Sequence, residues 1–178
     1  NAIVSSITGV LTYISDDQAL RDMTFWNMGS LAGNSWALIM PSVVAIIVAS
    51  AALLRLATPL NLYLLGENQA KHLGVSVTRL KKQVFLFTAV AVGASVALCG
   101  MIGFVGFLVP HLLRMLIGPD HRYLLPASLI FGGVLLTLAD LVARTIVIPS
   151  EVPVGLITSA IGGPFFLAVL LKSYKSLR

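Results

Sequence analysis

Long apolar stretches alternate with short polar ones along this sequence. Residues 23–54 and 84–113 contain no Asp, Glu, Lys or Arg, and each stretch exceeds the roughly 20 apolar residues that a helix needs to cross a bilayer. The connection at residues 15–36 is acidic-leaning and is expected to lie at the membrane surface. The pattern therefore predicts the end of one membrane span followed by further spans, at residues 1–14, 40–54, 84–117, 123–145 and 155–171.

The apolar stretch at residues 84–117 is too long for one crossing. As a single helix its 34 residues would extend about 51 Å, against a hydrocarbon core of about 30 Å. We therefore expect the chain to fold back on itself here. Three glycines and a proline provide the weak points for a re-entrant turn: Gly100, Gly103, Gly106 and Pro110. Such backbone is acceptable at membrane depth only where other helices cover it.

The distribution of basic residues supports this fold-back. The fold-back places 10 of the 12 Lys and Arg residues on one side of the membrane and leaves Arg21 and Arg144 on the other. A single crossing would instead move Arg114, Arg122 and the basic tail across. Because cytoplasmic loops carry an excess of Lys and Arg, the fold-back is favoured and residues 66–82 are predicted to be cytoplasmic.

Composition excludes a soluble globular protein. The chain has 57% hydrophobic and 11% charged residues, whereas soluble domains carry about 25% charged residues. We predict an all-α, polytopic transmembrane bundle that forms one domain over residues 1–178 and contacts membrane lipid. The net charge of +5 is spread over several loops, so it indicates orientation in the membrane and no nucleic-acid partner. The apolar start at Asn1 suggests the later part of a longer polypeptide.

The polar loop, residues 66–82, is the expected contact with water-soluble machinery. It carries one Glu, one His and four basic residues between two apolar stretches. Glu67 and Ala70 would share one face of a short helix, and Gly74 can end that helix in a left-handed conformation. We expect this helix to lie along the membrane surface and to fit a groove on another subunit.

The sequence contains none of the motifs that would carry chemistry of its own. It lacks a phosphate-binding Gly-x-x-x-x-Gly-Lys loop, a His-Glu-x-x-His zinc helix and a Gly-x-Ser-x-Gly elbow, so no enzyme activity, bound cofactor or metal is predicted. His111 is interpreted as structural. Asp140 and Arg144 are the deepest ionisable residues in an apolar span; they either pair with each other or leave Arg144 a role at the outer surface. The bend expected at residues 162–164 is either a hinge or a packing notch.

Seven motifs follow one another along the chain: FWNMGSL (25–31), GENQA (66–70), LGV (73–75), GFVGFLVPH (103–111), GPDHR (118–122), ADLVAR (139–144) and EVPVG (151–155). Together they cover the whole chain in order and resemble the FecCD-type permeases, the membrane subunits of ABC importers for iron-siderophores, haem and cobalamin.

The resemblance implies the C-terminal half of a ten-helix type II ABC importer permease in the bacterial inner membrane. It implies a second permease copy or homologous half, a periplasmic binding protein, and two cytoplasmic ATPase subunits that hold ATP and Mg²⁺. The expected cargo is an iron chelate; the alternatives are cobalamin or an ion-gradient-driven secondary transporter. It also implies the site residues: Glu67, Ala70 and Gly74 for ATPase coupling, Arg144 for binding-protein docking, and Ser5, Ser6 and Thr8 for the translocation path.

Overall fold

The structure is a computed structural model and describes residues 2–32, 35–147 and 152–176. These residues form nine α-helices and no strand. The helices are α1 (Ala2–Tyr13), α2 (Asp17–Met28), α3 (Trp36–Arg55), α4 (Ala57–Tyr63), α5 (Glu67–His72), α6 (Val77–Cys99), α7 (Val105–Ile117), α8 (His121–Thr145) and α9 (Val154–Ser176).

Three of these helices, α3, α6 and α8, are long and apolar enough to cross a membrane by length and composition. Helices α1 and α7 and the first part of α9 are shorter apolar helices. Most side chains of the long helices face outward; Val44 in α3, for example, is 60% exposed. Apolar surface of this extent is typical of helices that meet lipid or other helices. The predicted all-α transmembrane bundle is confirmed.

The fold-back predicted within residues 84–117 is present. Helix α6 ends at Cys99, residues 100–104 are not helical, and α7 begins at Val105. Gly100 and Gly103 lie in this break, as predicted. Gly106 and Pro110 do not, because they are the second and sixth residues of α7. Phe104, with a φ of 65°, makes the turn into α7 instead, and a proline inside a membrane helix is tolerated where its surroundings satisfy the freed carbonyl.

The connection at residues 15–36 contains a helix that the sequence interpretation missed. Helix α2 begins after Asp16, whose carboxylate accepts a hydrogen bond from the Ala19 N–H at 2.9 Å. It ends at Gly29, which adopts a φ of 73°. An Asp before the first turn and a glycine after the last are ordinary helix boundaries. The sequence interpretation missed both boundaries of α2, because it took the acidic composition of residues 15–36 only as the sign of a surface connection.

Helix packing creates a buried cluster between α7 and α8. Helix α3 packs along α6, and α9 packs against both α7 and α8. His111 in α7 stacks on the Phe107 ring at 5.6 Å and meets the Phe165 ring edge-on at 5.9 Å. These ring contacts agree with a structural role for His111, which remains a prediction. The buried cluster consists of Leu108, Val109, Leu113 and Leu124.

The bundle has two distinct ends. At the α4 end, Asn61 hydrogen-bonds to residues at the start of α8. At the α2 end, the Met101 N–H donates to the Trp26 carbonyl at 3.2 Å, and the Gly155 N–H donates to the Gly29 carbonyl at 3.4 Å. The polar loop therefore lies at one end, while the break after α6 lies at the other. Between the spans expected at residues 123–145 and 155–171, the sequence predicts a compact turn marked by Pro149, Glu151 and Pro153. Residues 148–151 of this turn lie outside the described residues.

Candidate functional site: the polar loop and the ion pair of α8

The polar loop begins with the short helix α5, which ends in a left-handed glycine turn. The Val75 N–H donates to the Ala70 carbonyl at 2.9 Å, and the Gly74 N–H donates to the Lys71 carbonyl at 3.0 Å. Gly74 has a φ of 85°. These two bonds form the Schellman arrangement, which requires a left-handed residue at this position. The sequence-based prediction that Gly74 ends the helix in this conformation is confirmed.

Glu67 joins α5 to the start of α6. Its two carboxylate oxygens accept from the Lys71 Nζ at 2.9 Å and from the Lys81 Nζ at 2.8 Å. The Lys81 ammonium also lies 5.5 Å from the centre of the Tyr63 ring. Hydrogen bonds from Lys81 and then Lys71 lower the pKa of Glu67 to about 2. The carboxylate is therefore ionised at neutral pH and joins α5 to α6, while Lys81 also contacts α4 through Tyr63.

Ala70 lies inside the protein. Its side chain is fully buried, with 0% exposure, where α5 packs against α4 and α6. The sequence interpretation placed Ala70 among the residues that would seat on a partner, but the fold leaves it no surface for direct contact. Gly74 has open space around it, and Leu73 beside it is 56% exposed. Any surface that α5 offers to a partner therefore lies on the side away from Ala70.

A hydrogen-bond network that the sequence interpretation missed joins α4 to the start of α8. The Asn61 Oδ1 accepts from the His121 backbone N–H at 2.8 Å and lies 2.9 Å from the His121 Nδ1. The Asn61 Nδ2 donates to the Asp120 carboxylate, which also accepts from the Arg122 N–H at 2.9 Å. Hydrogen bonds from the Arg122 backbone and then from Asn61 lower the pKa of Asp120. The one available sequence signal was an Asp directly before an apolar stretch, typical of an N-cap.

Asp140 and Arg144 form an ion pair near the other end of α8. The Arg144 Nε donates to the Asp140 Oδ2 at 2.8 Å, and the two side chains are partly exposed. The i, i+4 pairing that the sequence allowed is confirmed. This pair does not test a docking role for Arg144, which remains a prediction.

The candidate path residues Ser5, Ser6 and Thr8 all lie on α1. From Ala2 to Tyr13 this helix contributes no buried residue, and the Ser6 Oγ donates to the carbonyl of Ala2 in its own helix. Thr8 also lines an open cavity of about 610 Å³ between α1 and α2. Within the described residues, the structure does not bring these three side chains together with Glu67 or Arg144. Their role remains a prediction.

The break before α7 makes a close contact with α9 at one of the residues where the sequence predicted a bend. A Cβ at Gly162 would overlap the ring of Phe104, whereas a Cβ at Gly163 would meet nothing within 4 Å. Helix α9 continues through Pro164. Of the two interpretations of residues 162–164, the packing notch therefore has a structural basis at Gly162.

Comparison with known proteins decides the family. The FecCD transport family matches residues 1–172. The chain belongs to this family. It is 48% identical over 172 residues to the hemin transport system permease protein HmuU of Yersinia pestis, covering 97% of this chain and 52% of that protein. It is 44% identical over 164 residues to the vitamin B12 import system permease protein BtuC of Vibrio cholerae, covering 92% of this chain and 49% of that protein.

A solved structure has the same arrangement of helices. It is a putative metal-chelate type ABC transporter in an inward-facing conformation, with a TM-score of 0.87 and 37% sequence identity. The match covers 96% of this chain and 56% of the transporter chain. The chain thus spans about half the length of the curated relatives it matches.

Proposed function

We propose that this chain is the C-terminal half of a permease subunit in an ATP-driven importer of the bacterial inner membrane. Two cytoplasmic ATPase subunits, a second permease copy and a periplasmic binding protein complete the assembly. ATP and Mg²⁺ would be held by the ATPase subunits, and the permease would act as a passive gate. Family membership across residues 1–172 supports this assignment.

The observation that carries the proposal is that contacts with the bundle hold the polar loop in place while one side of the loop stays exposed. Helix α5 is held by two kinds of contact: Glu67 pairs with Lys71 and Lys81, and Ala70 is buried against the bundle. The side of the loop that includes Leu73 and Gly74 is exposed. A short, preorganised helix at a bundle end is suited to transmit force, because little energy is lost in ordering it when a partner binds.

We propose an iron chelate, a siderophore complex or haem, as the cargo. The 48% identity to a hemin permease and the likeness to a metal-chelate transporter support it. The 44% identity to vitamin B12 permeases keeps cobalamin as the alternative. Uptake of ferric siderophore, haem and cobalamin into vesicles that contain the complete transporter distinguishes the three cargoes.

A secondary transporter driven by an ion gradient has less support. Such a transporter needs ionisable side chains along its path. The carboxylate of Asp140, which lies in the long apolar helix α8, is paired with Arg144 at 2.8 Å. A carboxylate that is held in an ion pair must first break that pair before it can bind a transported ion. ATP-dependent uptake that persists after the ion gradients are collapsed excludes this alternative.

The coupling role is tested by placing a bulky basic residue in the polar loop of the full-length protein. Glu67→Arg removes the two ion pairs and adds repulsion from Lys71 and Lys81, and Gly74→Arg forces a non-glycine residue into a left-handed turn. Both variants are expected to abolish uptake and transport-stimulated ATP hydrolysis while membrane insertion continues. Asp17→Arg is the matched control, because it makes the same charge reversal on exposed helix α2. Wild-type coupling in both loop variants would refute the proposal.

A further inference from the structure

We propose that Asn61 is a positioning residue that clamps α4, the helix leading into the polar loop, to α8, so that a movement of the loop is passed to the far end of α8. This inference rests on the proposed function, because it assigns a role to the loop as the ATPase seat. The network formed by Asn61, Asp120 and His121 holds the clamp together.

Asn61 lies in the helix that connects the polar loop to α8. It lies in α4, five residues before the polar loop begins at Gly66. Helix α5 packs against α4 and α6. Helix α6 packs mainly along α3, whereas α4 packs against α8. A displacement of α5 therefore reaches α8 most directly through α4, and Asn61 supplies the polar contacts at that junction.

The chemistry of the junction requires an amide. The Asn61 Oδ1 accepts from the His121 backbone N–H at 2.8 Å and lies 2.9 Å from the ring Nδ1, a contact that is a hydrogen bond in the tautomer with its proton on Nδ1. The Asn61 Nδ2 donates to the Asp120 carboxylate, which caps α8. An acceptor and a donor held side by side are what a side-chain amide offers. An aspartate at this position would bring two carboxylates together, and an alanine would leave both sides of the junction without their partner.

Helix α8 can carry a displacement over a long distance. It runs for 25 residues from His121 to Thr145, which is about 37 Å at 1.5 Å per residue. Its far end carries the pair of Asp140 and Arg144. A clamp at its start and an ion pair near its end would join the two faces on which an importer meets its soluble partners.

The test exchanges donor and acceptor across the clamp in the full-length permease assembled with its ATPase subunits and binding protein. Asn61→Asp should lower transport per ATP hydrolysed by about 2- to 30-fold, the range in which residues between two coupled sites modulate coupling. ATPase assembly and basal hydrolysis should remain. Adding Asp120→Asn should restore coupling, because the amide introduced in α8 donates to the carboxylate introduced in α4, and asparagine remains a good helix cap. Thr58→Asp adds the same charge to an exposed position of α4 and should change nothing.

Several outcomes would overturn the role of Asn61. These are wild-type transport per ATP in Asn61→Asp, a loss that Asp120→Asn does not reverse, or a lower melting temperature with unchanged coupling, which would mean a structural contact only. If Asn61→Asp is not inserted, Asn61→Ala gives the same readout without the added charge. If Glu67→Arg and Gly74→Arg keep coupling, the proposed function fails and the clamp fails with it. If they lose coupling and the Asn61 variants do not, only the clamp is overturned.

Discussion

Replacing Gly100 with alanine should strongly destabilise the turn between α6 and α7. Gly100 has a φ of 68° and a ψ of −161°, in a region of backbone space that is essentially restricted to glycine. Holding another residue there costs on the order of 1–3 kcal/mol. A Cβ at Gly100 would also overlap the Trp26 carbonyl oxygen, and overpacking of this kind costs about 1–3 kcal/mol more. The expected loss for Gly100→Ala is therefore about 2–6 kcal/mol in the free energy of unfolding.

The matched control lies in the same helix. Gly93 is inside α6, and a Cβ there meets nothing within 4 Å. Gly93→Ala should be neutral or stabilising by up to about 1 kcal/mol, since alanine loses less backbone entropy than glycine in a helix. The assay is reversible unfolding of the purified full-length protein in mixed micelles, followed by intrinsic fluorescence. Equal unfolding free energies for the two variants would refute the strained geometry assigned to Gly100.

Three further predictions concern ion pairs and membrane topology. Arg144→Glu should weaken binding-protein docking by about 5- to 150-fold and more than Arg144→Ala, measured as affinity for reconstituted permease; unchanged affinity with impaired folding would leave only the structural pair. The contribution of the Glu67 ion pairs to folding stability should be fully present above the usual carboxyl pKa of 4.5 and lost as pH falls toward about 2. Carboxyl NMR should show the titration of Glu67, with its pKa raised toward 4.5 in Lys81→Met. Cysteines placed by Ser76→Cys and Gln18→Cys should be labelled only from the cytoplasm and only from outside, respectively, and labelling of both from one side contradicts the fold-back.

The features that could be predicted are those that a local stretch of sequence determines. Apolar length alone located the span predicted at residues 123–145, which the structure forms as His121–Thr145. Length also predicted the fold-back, because 34 apolar residues exceed one bilayer. The left-handed end of α5 at Gly74 was also predictable from local sequence, because a glycine after a short polar helix commonly ends that helix in the left-handed conformation.

The features that were missed depend on contacts between distant parts of the chain. Asn61 and His121 are 60 residues apart, and no periodicity in the sequence relates them. The contact between Phe104 and Gly162 likewise arises only when α9 packs beside the break. Pro110 was expected to mark that break, because proline usually interrupts helices, but it lies inside α7. Proline is tolerated inside a membrane helix where neighbouring groups satisfy the freed carbonyl, so it did not mark the break here.

Ala70 shows how a correct face assignment can still lead to the wrong surface. The spacing from Glu67 placed the two residues on one side of α5, and both do take part in holding that helix: Glu67 through Lys81 and Ala70 by burial. A small residue allows α5 to approach the bundle closely, so a larger side chain at this position would lift the helix away. Ala70 would then contribute to coupling indirectly, by setting the distance between α5 and the rest of the bundle. The surface that meets an ATPase would be the exposed one that includes Leu73 and Gly74.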